Sequence, residues 1–394
     1  MTSNRVLISG ASVAGPALAF WLRRYGFTPT VVERAPELRD GGYAVDFRGA
    51  SLDVLDRMGL LGAVEAAATR MGEVTYVDGQ DRPLVVTPPT YQSGELEILR
   101  GDLSRILYDA TKDDVEYVFG DSITGITERG DGITVTFAHG EPREFDLVIG
   151  ADGLHSNVRS LVFGDERRFR HDLGYYVSIC TVPNHLALDH VGRFHNEPNR
   201  TVGVYSARDN SEAKALFWFG ADRLDYDHRD VGQQRRIVEE RFAGVGWETP
   251  ALVDAMRAAP DFYFDSASQI KLDSYARGRV ALVGDAAYCA APLSGMGTSL
   301  AVVGAYVLAG ELASASYETA FAAYEREMRP FVDACQKLAE GNGKWFVPPT
   351  RAWLKFRNLT YRLLPYLPWR KLIEELPLKA GNAITLKQYA EVPV

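Results

Sequence analysis

The stretch RVLISGASVAG, residues 5–15, limits what this chain can fold into more than any other. Val6-Leu7-Ile8 is a short apolar run that suits a buried strand, and it breaks at once into Gly10-Ala11-Ser12-Val13-Ala14-Gly15. The next segment, GPALAFWLRRYGF, reads as a helix. Pro16 falls in its first turn, where a missing N–H is no loss, and Gly26 ends it. A second strand, PTVVERA, carries Glu33, about 20 residues beyond the glycines, the spacing at which a carboxylate meets the hydroxyls of an adenosine ribose. The order strand, glycine loop, helix, strand, acid is that of a dinucleotide-binding unit, whose helix N-terminus offers free N–H groups to a pyrophosphate. Ser12 departs from that pattern by standing where the second glycine belongs. On this stretch alone, a strand-to-helix turn without a ligand remains the alternative.

Two later segments repeat the theme. EFDLVIGADGLHSNVRSLVFG contains an apolar strand ending at Asp152-Gly153. GRVALVGDAAYCAAPLSGMGTSLAVVGAYVLAGEL contains another, ending at Gly284-Asp285, then a turn Pro292–Gly297 and a long apolar helix. In an open α/β sheet, ligands sit beyond the carboxyl ends of the strands, so three such ends bearing glycine and a carboxylate form one coherent site. Asp285 as a simple helix cap, and Arg34 and Arg48 as surface arginines, are the competing readings.

With these three segments in this order, residues 4–335 resemble the single-component (class A) FAD-dependent aromatic hydroxylases, typified by p-hydroxybenzoate hydroxylase. Within that family, GGYAVDFRG and ILRGDLSRIL look most like the tetracycline-modifying flavin monooxygenases. The resemblance implies non-covalent FAD. Gly10, Ser12, Val13, Ala14 and Gly15 are then expected at the pyrophosphate, Glu33 at the ribose and Arg34 near the adenine. Arg48 and Arg100 are expected at phosphate or ribityl oxygens, Asp285 at a ribityl hydroxyl, and Asp152 between the FAD site and the nicotinamide path. Pro292, Gly295, Met296 and Gly297 would aim backbone N–H groups at the flavin N1 and C2 carbonyl, where reduced flavin is negative.

Residues 170–270 read differently, as short alternating segments of an antiparallel sheet: LGYYVSICTV, RTVGVYSA, KALFWFGA and DFYFDSASQI. Residues 72–98 read as strands of the same layer. Along LFWFG, Trp218 points away from Phe217 and Phe219. Family position makes Trp218 the expected substrate contact, with Pro292 and Leu293 on the flavin side, although any single aromatic here also suits core packing. His185, His190 and His195 are five apart, which no regular element places on one face, so no metal site is expected. Cys289 reads as a small buried residue rather than a flavin attachment point. The segment from Lys344 to Lys371 holds seven basic residues, no acidic one, and Trp345, Trp353 and Trp369. A membrane-surface helix is one reading of it; prolines 348, 349, 365 and 368 and the family resemblance favour a helical clamp across two domains.

The expected fold is α/β: a Rossmann-like FAD-binding domain (1–71, 99–170 and 271–340), an interleaved antiparallel substrate sheet (72–98 and 171–270) and a C-terminal helical segment (341–394). The expected activity is an FAD-dependent monooxygenase. NADPH or NADH would supply electrons, and O₂ would reach an aromatic or polycyclic, polyketide-like carbon through a flavin C4a-hydroperoxide. An FAD dehydrogenase, oxidase or reductase on the same scaffold, and a non-catalytic flavin- or ligand-binding protein, are the alternatives. A net charge of −9 argues against a nucleic-acid partner. No 18-residue apolar stretch was evident and no basic leader precedes the first apolar run, so neither stable membrane insertion nor a signal peptide is expected. Three scattered cysteines form no disulfide framework and suit the cytoplasm, with a monomer or weak dimer as the expected state.

Overall fold

A computed structural model describes residues 4–38, 41–89, 94–130, 132–367 and 370–390 of the chain. A six-stranded sheet runs in the order β17 (Ala276–Arg277), β18 (Val280–Leu282), β11 (Leu147–Gly150), β1 (Arg5–Ser9), β2 (Thr28–Glu33), β7 (Glu116–Phe119). All its pairings are parallel except the edge pair of β17 with β18. Both faces of its centre are covered, which is why Val6, Leu7, Ile8, Val148, Ile149, Ala281 and Leu282 are wholly buried. One covering layer is α1 (Ala14–Arg24) against α9 (Gly297–Ser314), which also packs on α2 (Ala50–Arg57) and α10 (Tyr317–Phe346). Helix α9 does have the length and composition of a membrane span, contrary to the sequence reading, because Glu311 is its only charge. It is enclosed by protein instead, and a helix apolar on every side belongs in such a core. The short α3 (Leu61–Ala66) follows α2, α4 (Arg100–Asp109) follows a strand of this half, and β8 (Ile123–Arg129), β9 (Gly132–Phe137) and β10 (Arg143–Phe145) form a separate small sheet.

The second large sheet has seven strands in the order β16 (Tyr263–Ile270), β12 (Arg170–Val182), β15 (Glu212–Gly220), β14 (Arg200–Ala207), β13 (Gly192–Glu197), β4 (Val74–Val77), β5 (Pro83–Thr87). Pairing is antiparallel except where β13 meets β4. Alternation along β15 sorts its aromatics by face. Phe217 and Phe219 pack on Phe242 of α6 (Val231–Phe242), in the cluster that also includes α7 (Thr249–Ala258). Trp218 lies on the opposite face with Val177, Ala267 and Ala291. Two details differ from the sequence reading. The strand β6 (Leu96–Leu99) pairs with β3 (Ala44–Phe47), not with the seven-stranded sheet, since Ile98 and Leu99 are buried in the first half of the molecule. Helix α10 also continues through residue 340 to Phe346, stopping just short of Pro348-Pro349.

After α10 the chain crosses between the two halves. Helix α11 (Arg351–Leu363) lies against β5 and β13, with the Arg357 guanidinium 4.3 Å from the Tyr76 ring centre and Arg362 donating to the Leu84 carbonyl at 2.9 Å. Helix α12 (Arg370–Gly381) and the tail return to the first half. There Gly381 abuts the Arg48 carbonyl, the Tyr389 ring covers Gly310, and Lys387 sits between Glu311 and Glu327 at 2.8 and 3.0 Å. Pro368 and Trp369 lie outside the described residues.

Candidate functional site

The loop after β1 is built for close approach. Gly10 has φ +109°, and a Cβ there would lie 2.5 Å from the Ala151 carbonyl oxygen. A Cβ at Gly15 would overlap the Gly10 carbonyl. Neither position takes a side chain. Ser12 has a local purpose: its hydroxyl oxygen accepts from Arg100 Nη2 at 3.0 Å, tying the loop to the start of α4. Glu33 braces the same loop, accepting from the Ala11 N–H at 3.0 Å and the Ala35 N–H at 2.9 Å. Arg34, beside it, is exposed at the strand end. Val13 and Ala14 are buried as α1 begins, and a Cβ at Gly284 would come within 3.1 Å of the Ala14 Cβ. The first and third glycine motifs therefore meet at one end of the sheet.

Asp285 opens the short helix α8 (Asp285–Tyr288) at that end. Burial pushes its carboxyl above the usual carboxylate range, with Arg100 pulling the other way. Burial also works against the charge of Arg100, but Tyr43, Tyr263, Asp285 and Glu33 together hold it above its ordinary value. Tyr43 and Tyr263 face one another with ring centres 5.6 Å apart, which joins the two halves of the molecule here. Burial raises the Cys289 thiol well above its ordinary value, so it is a packed thiol that donates to the Ser268 carbonyl at 3.4 Å.

The turn before α9 is strained and clamped. Ala291 adopts φ 68°, ψ 152°, a region essentially reserved for glycine, and such outliers gather at functional sites. Pro292–Ser294 forms a 3₁₀ turn, and Gly295 follows at φ 60°. The Gly295 carbonyl accepts from Arg48 Nη1 at 3.0 Å, and Arg48 is paired with Asp46 at 3.2 Å. Arg48 is thus the brace of this turn. Met296 is buried, with its N–H on the Ser294 hydroxyl at 3.1 Å. Gly297 begins α9, where a Cβ would lie 3.8 Å from Asp285 Oδ1. The first N–H groups of α9 have no intrahelical partner and carry the positive end of its dipole beside Asp285. On the sheet side, Trp218, Tyr263, Leu293 and Phe346 share one cluster with Ala291, and the Trp218 and Phe346 rings are 5.4 Å apart.

These residues fit FAD. Two glycines packed too closely on neighbouring backbone to carry a side chain bring the loop tight onto the N-terminus of α1, a buried carboxylate and guanidinium follow, and the N-terminus of α9 closes the row.

Asp152 is engaged differently. Its carboxylate accepts from the Ser156 hydroxyl at 2.5 Å, the Val158 N–H at 3.0 Å and the Ser9 hydroxyl at 3.4 Å, closing the start of α5 (Asn157–Phe163). Next to it lies a cluster the sequence did not reveal. His155 bonds Glu166 through Nδ1 at 3.0 Å and Asp265 of β16 through Nε2 at 3.2 Å. Asp265 also accepts from the Tyr226 and Tyr263 hydroxyls at 3.3 and 3.5 Å, and Glu166 from Arg159 and Arg170 at 2.8 and 3.0 Å. Burial opposes the charge of His155, but the two carboxylates outweigh it and raise the imidazole to about 9. Its members come from distant parts of the chain, so no local spacing marks them. His228 stacks on His155 with ring centres 4.5 Å apart. The three histidines spaced by five disperse, His185 to Glu248, His190 to the Thr69 carbonyl and His195 to the Val77 carbonyl. No metal-binding group occurs among the described residues.

Comparison with known proteins agrees with this geometry. The FAD-binding-domain family matches residues 3–339. An uncharacterised protein of Mycobacterium tuberculosis is 50% identical over 345 residues, 86% of this chain and 93% of its own. A flavin-dependent monooxygenase of Legionella longbeachae is 41% identical over 345 residues, 86% of this chain and 88% of its own. The crystal structure of the tetracycline destructase Tet(51) matches with a TM-score of 0.85 at 37% identity, over 98% of this chain and 99% of that one. With the glycine loop, the Asp285 end and the α9 turn in one row, the chain belongs to the FAD-binding-domain family and is a flavin-dependent monooxygenase.

Proposed function

We propose that the enzyme takes electrons from NADPH or NADH and hydroxylates a polycyclic, polyketide-like aromatic molecule. The observation that carries this reading is the cluster of Trp218, Tyr263, Leu293 and Phe346 facing the Ala291–Gly297 turn, an apolar wall suited to a flat substrate. The likeness to a tetracycline destructase supports a fused-ring substrate in particular. FAD, when bound, supplies hydride acceptance from the nicotinamide and activation of O₂. The chain's own residues hold and orient. Gly10 to Gly15 and the α1 N-terminus would hold the pyrophosphate, Asp285 would accept from a ribityl hydroxyl, and the α9 N–H groups would face the ring and favour negative charge there. The apolar cluster excludes water from the reacting face. Three buried free cysteines support a reducing, cytoplasmic setting.

The test is NADPH and NADH oxidation by the yellow, FAD-loaded protein with a panel running from single-ring phenols to tetracyclines, with products read by mass spectrometry. A fused-ring product heavier by one oxygen supports the reading. Fused-ring compounds that neither speed reduction nor gain oxygen overturn the substrate class, and flavin reduction without oxygen insertion into any compound overturns the hydroxylation.

A further inference from the structure

The outer face of α11 is unlike the rest of the surface. Of the nine exposed large apolar side chains among the described residues, Phe356, Leu359 and Leu363 lie on α11, Tyr366 in the turn after it, and Leu376 and Leu378 on α12. Phe356, Leu359, Leu363 and Tyr366 are 52%, 54%, 47% and 85% exposed. Arg351 and Lys355 are exposed on the same helix, as is Arg362, part of whose guanidinium is held by the Leu84 carbonyl. At about 100° per residue, the three basic side chains leave α11 within an arc of about 40°, and Leu359, Leu363 and Phe356 fill the next arc of about 60°. The buried side of the helix is fixed by Arg357 on Tyr76, so this face cannot turn inward. Scattered exposed apolar residues need no explanation, but a contiguous stripe beside a basic stripe does.

We propose that this face of α11 docks reversibly onto an anionic lipid bilayer. Charge decides the occupant. Residues 344 to 371 contain no Asp or Glu, and of the strands α11 lies against, β5 has no acid and Glu197 of β13 is paired with Arg200. The net charge of −9 does not oppose docking, because charges more than about 8 Å away are screened at physiological salt. A second copy is a poorer occupant. A two-fold contact through this face brings the basic stripes of both copies into one interface, with no acidic residue between 344 and 371 to pair with them. An apolar arc with a basic flank is the composition of an interfacial helix, the apolar side entering the acyl boundary and the cations meeting lipid phosphates. This inference stands apart from the substrate reading.

The test is flotation of the FAD-loaded protein with vesicles of pure phosphatidylcholine and of phosphatidylcholine with about one-third phosphatidylglycerol, at low and raised salt. The wild type is expected to float with the anionic vesicles and not the neutral ones, and to be released by salt. F356S/L359S/L363S and R351E/K355E are each expected to lower that partition about tenfold or more while keeping FAD content; R351E/K355E should keep the melting temperature, and the triple variant should lower it slightly because the Phe356 ring rests on Trp345 and Trp353. Equal flotation with both vesicle types, or variants that float like the wild type, overturns the proposal. A dimer in light scattering that the triple serine variant dissolves, without vesicle binding, assigns the face to a second copy and overturns it as well.

Discussion

At the scale of single residues, Ser12 shows how a departure from a motif can be functional. Ser12→Gly restores the strict glycine pattern, yet it removes the hydroxyl that anchors Arg100. A hydrogen bond to a charged group contributes about 1.5–3 kcal/mol. The substitution is therefore expected to weaken FAD binding about tenfold, measured by fluorescence titration of the apoprotein; unchanged or tighter binding would show that the anchor is idle. His155 leads to a pH prediction. Its imidazole titrates at about 9 in the folded chain, above its ordinary value near 6.5, so the folded state holds the extra proton between these values. Its contribution, on the order of 3 kcal/mol, is fully present below about pH 6.5 and lost as pH rises through about 9. Urea unfolding across that window should show stability falling with pH in the wild type and a flattened slope in His155→Gln. The glycine loop around Ser12, and Glu33 beyond it, were legible because that motif is local in sequence, whereas the Ser12 anchor, Arg100, lies 88 residues away and was not. His155 was not, because Asp265 lies 110 residues away and only the fold brings it there.

At the scale of elements, the Ala291–Gly297 turn concentrates strain and donors. Gly295→Val forces a branched side chain into a left-handed φ and against Arg48 Nη1, 3.1 Å from the new Cβ. The folded, FAD-loaded fraction is expected to show a lower flavin potential, about tenfold slower reduction by the nicotinamide, and consumed O₂ recovered as H₂O₂ rather than product. Stopped-flow reduction with a peroxide assay checks this, and normal kinetics in that fraction would detach the turn from the flavin. The turn was readable from the sequence because Pro and Gly mark it. The pairing of β6 with β3 was not, since two four-residue strands carry too little alternation to declare a partner. The boundary at residue 340 failed for a different reason: α10 carries Pro330, Gly341 and Gly343 inside it and stops only before Pro348-Pro349, so local breakers did not mark its end.

At the scale of the whole molecule, the C-terminal tail secures the flavin half. Lys387 joins Glu311 and Glu327, Tyr389 donates to Glu311 at 2.8 Å, and Asn382 and Gly381 sit against Arg48 and Gly49, the brace of the α9 turn. Deleting residues 382–394 is expected to lower the melting temperature by on the order of 5 °C and to speed FAD loss on dilution. Differential scanning fluorimetry and flavin release measure the two, and a wild-type release rate would show that the tail does not support the turn. The parallel sheet carries one more consequence. Strand β1 lies between β2 and β11, and β11 lies between β1 and β18. On the ribosome, β1 leaves the exit tunnel with β2 soon behind, but its other edge stays open until residue 147 arrives, and the sheet waits for residue 280. At about 5–20 residues per second, that wait lasts on the order of tens of seconds. Val6, Leu7 and Ile8 spend it without their final neighbours, so the flavin half of the nascent chain presents an open apolar strand edge for most of its synthesis.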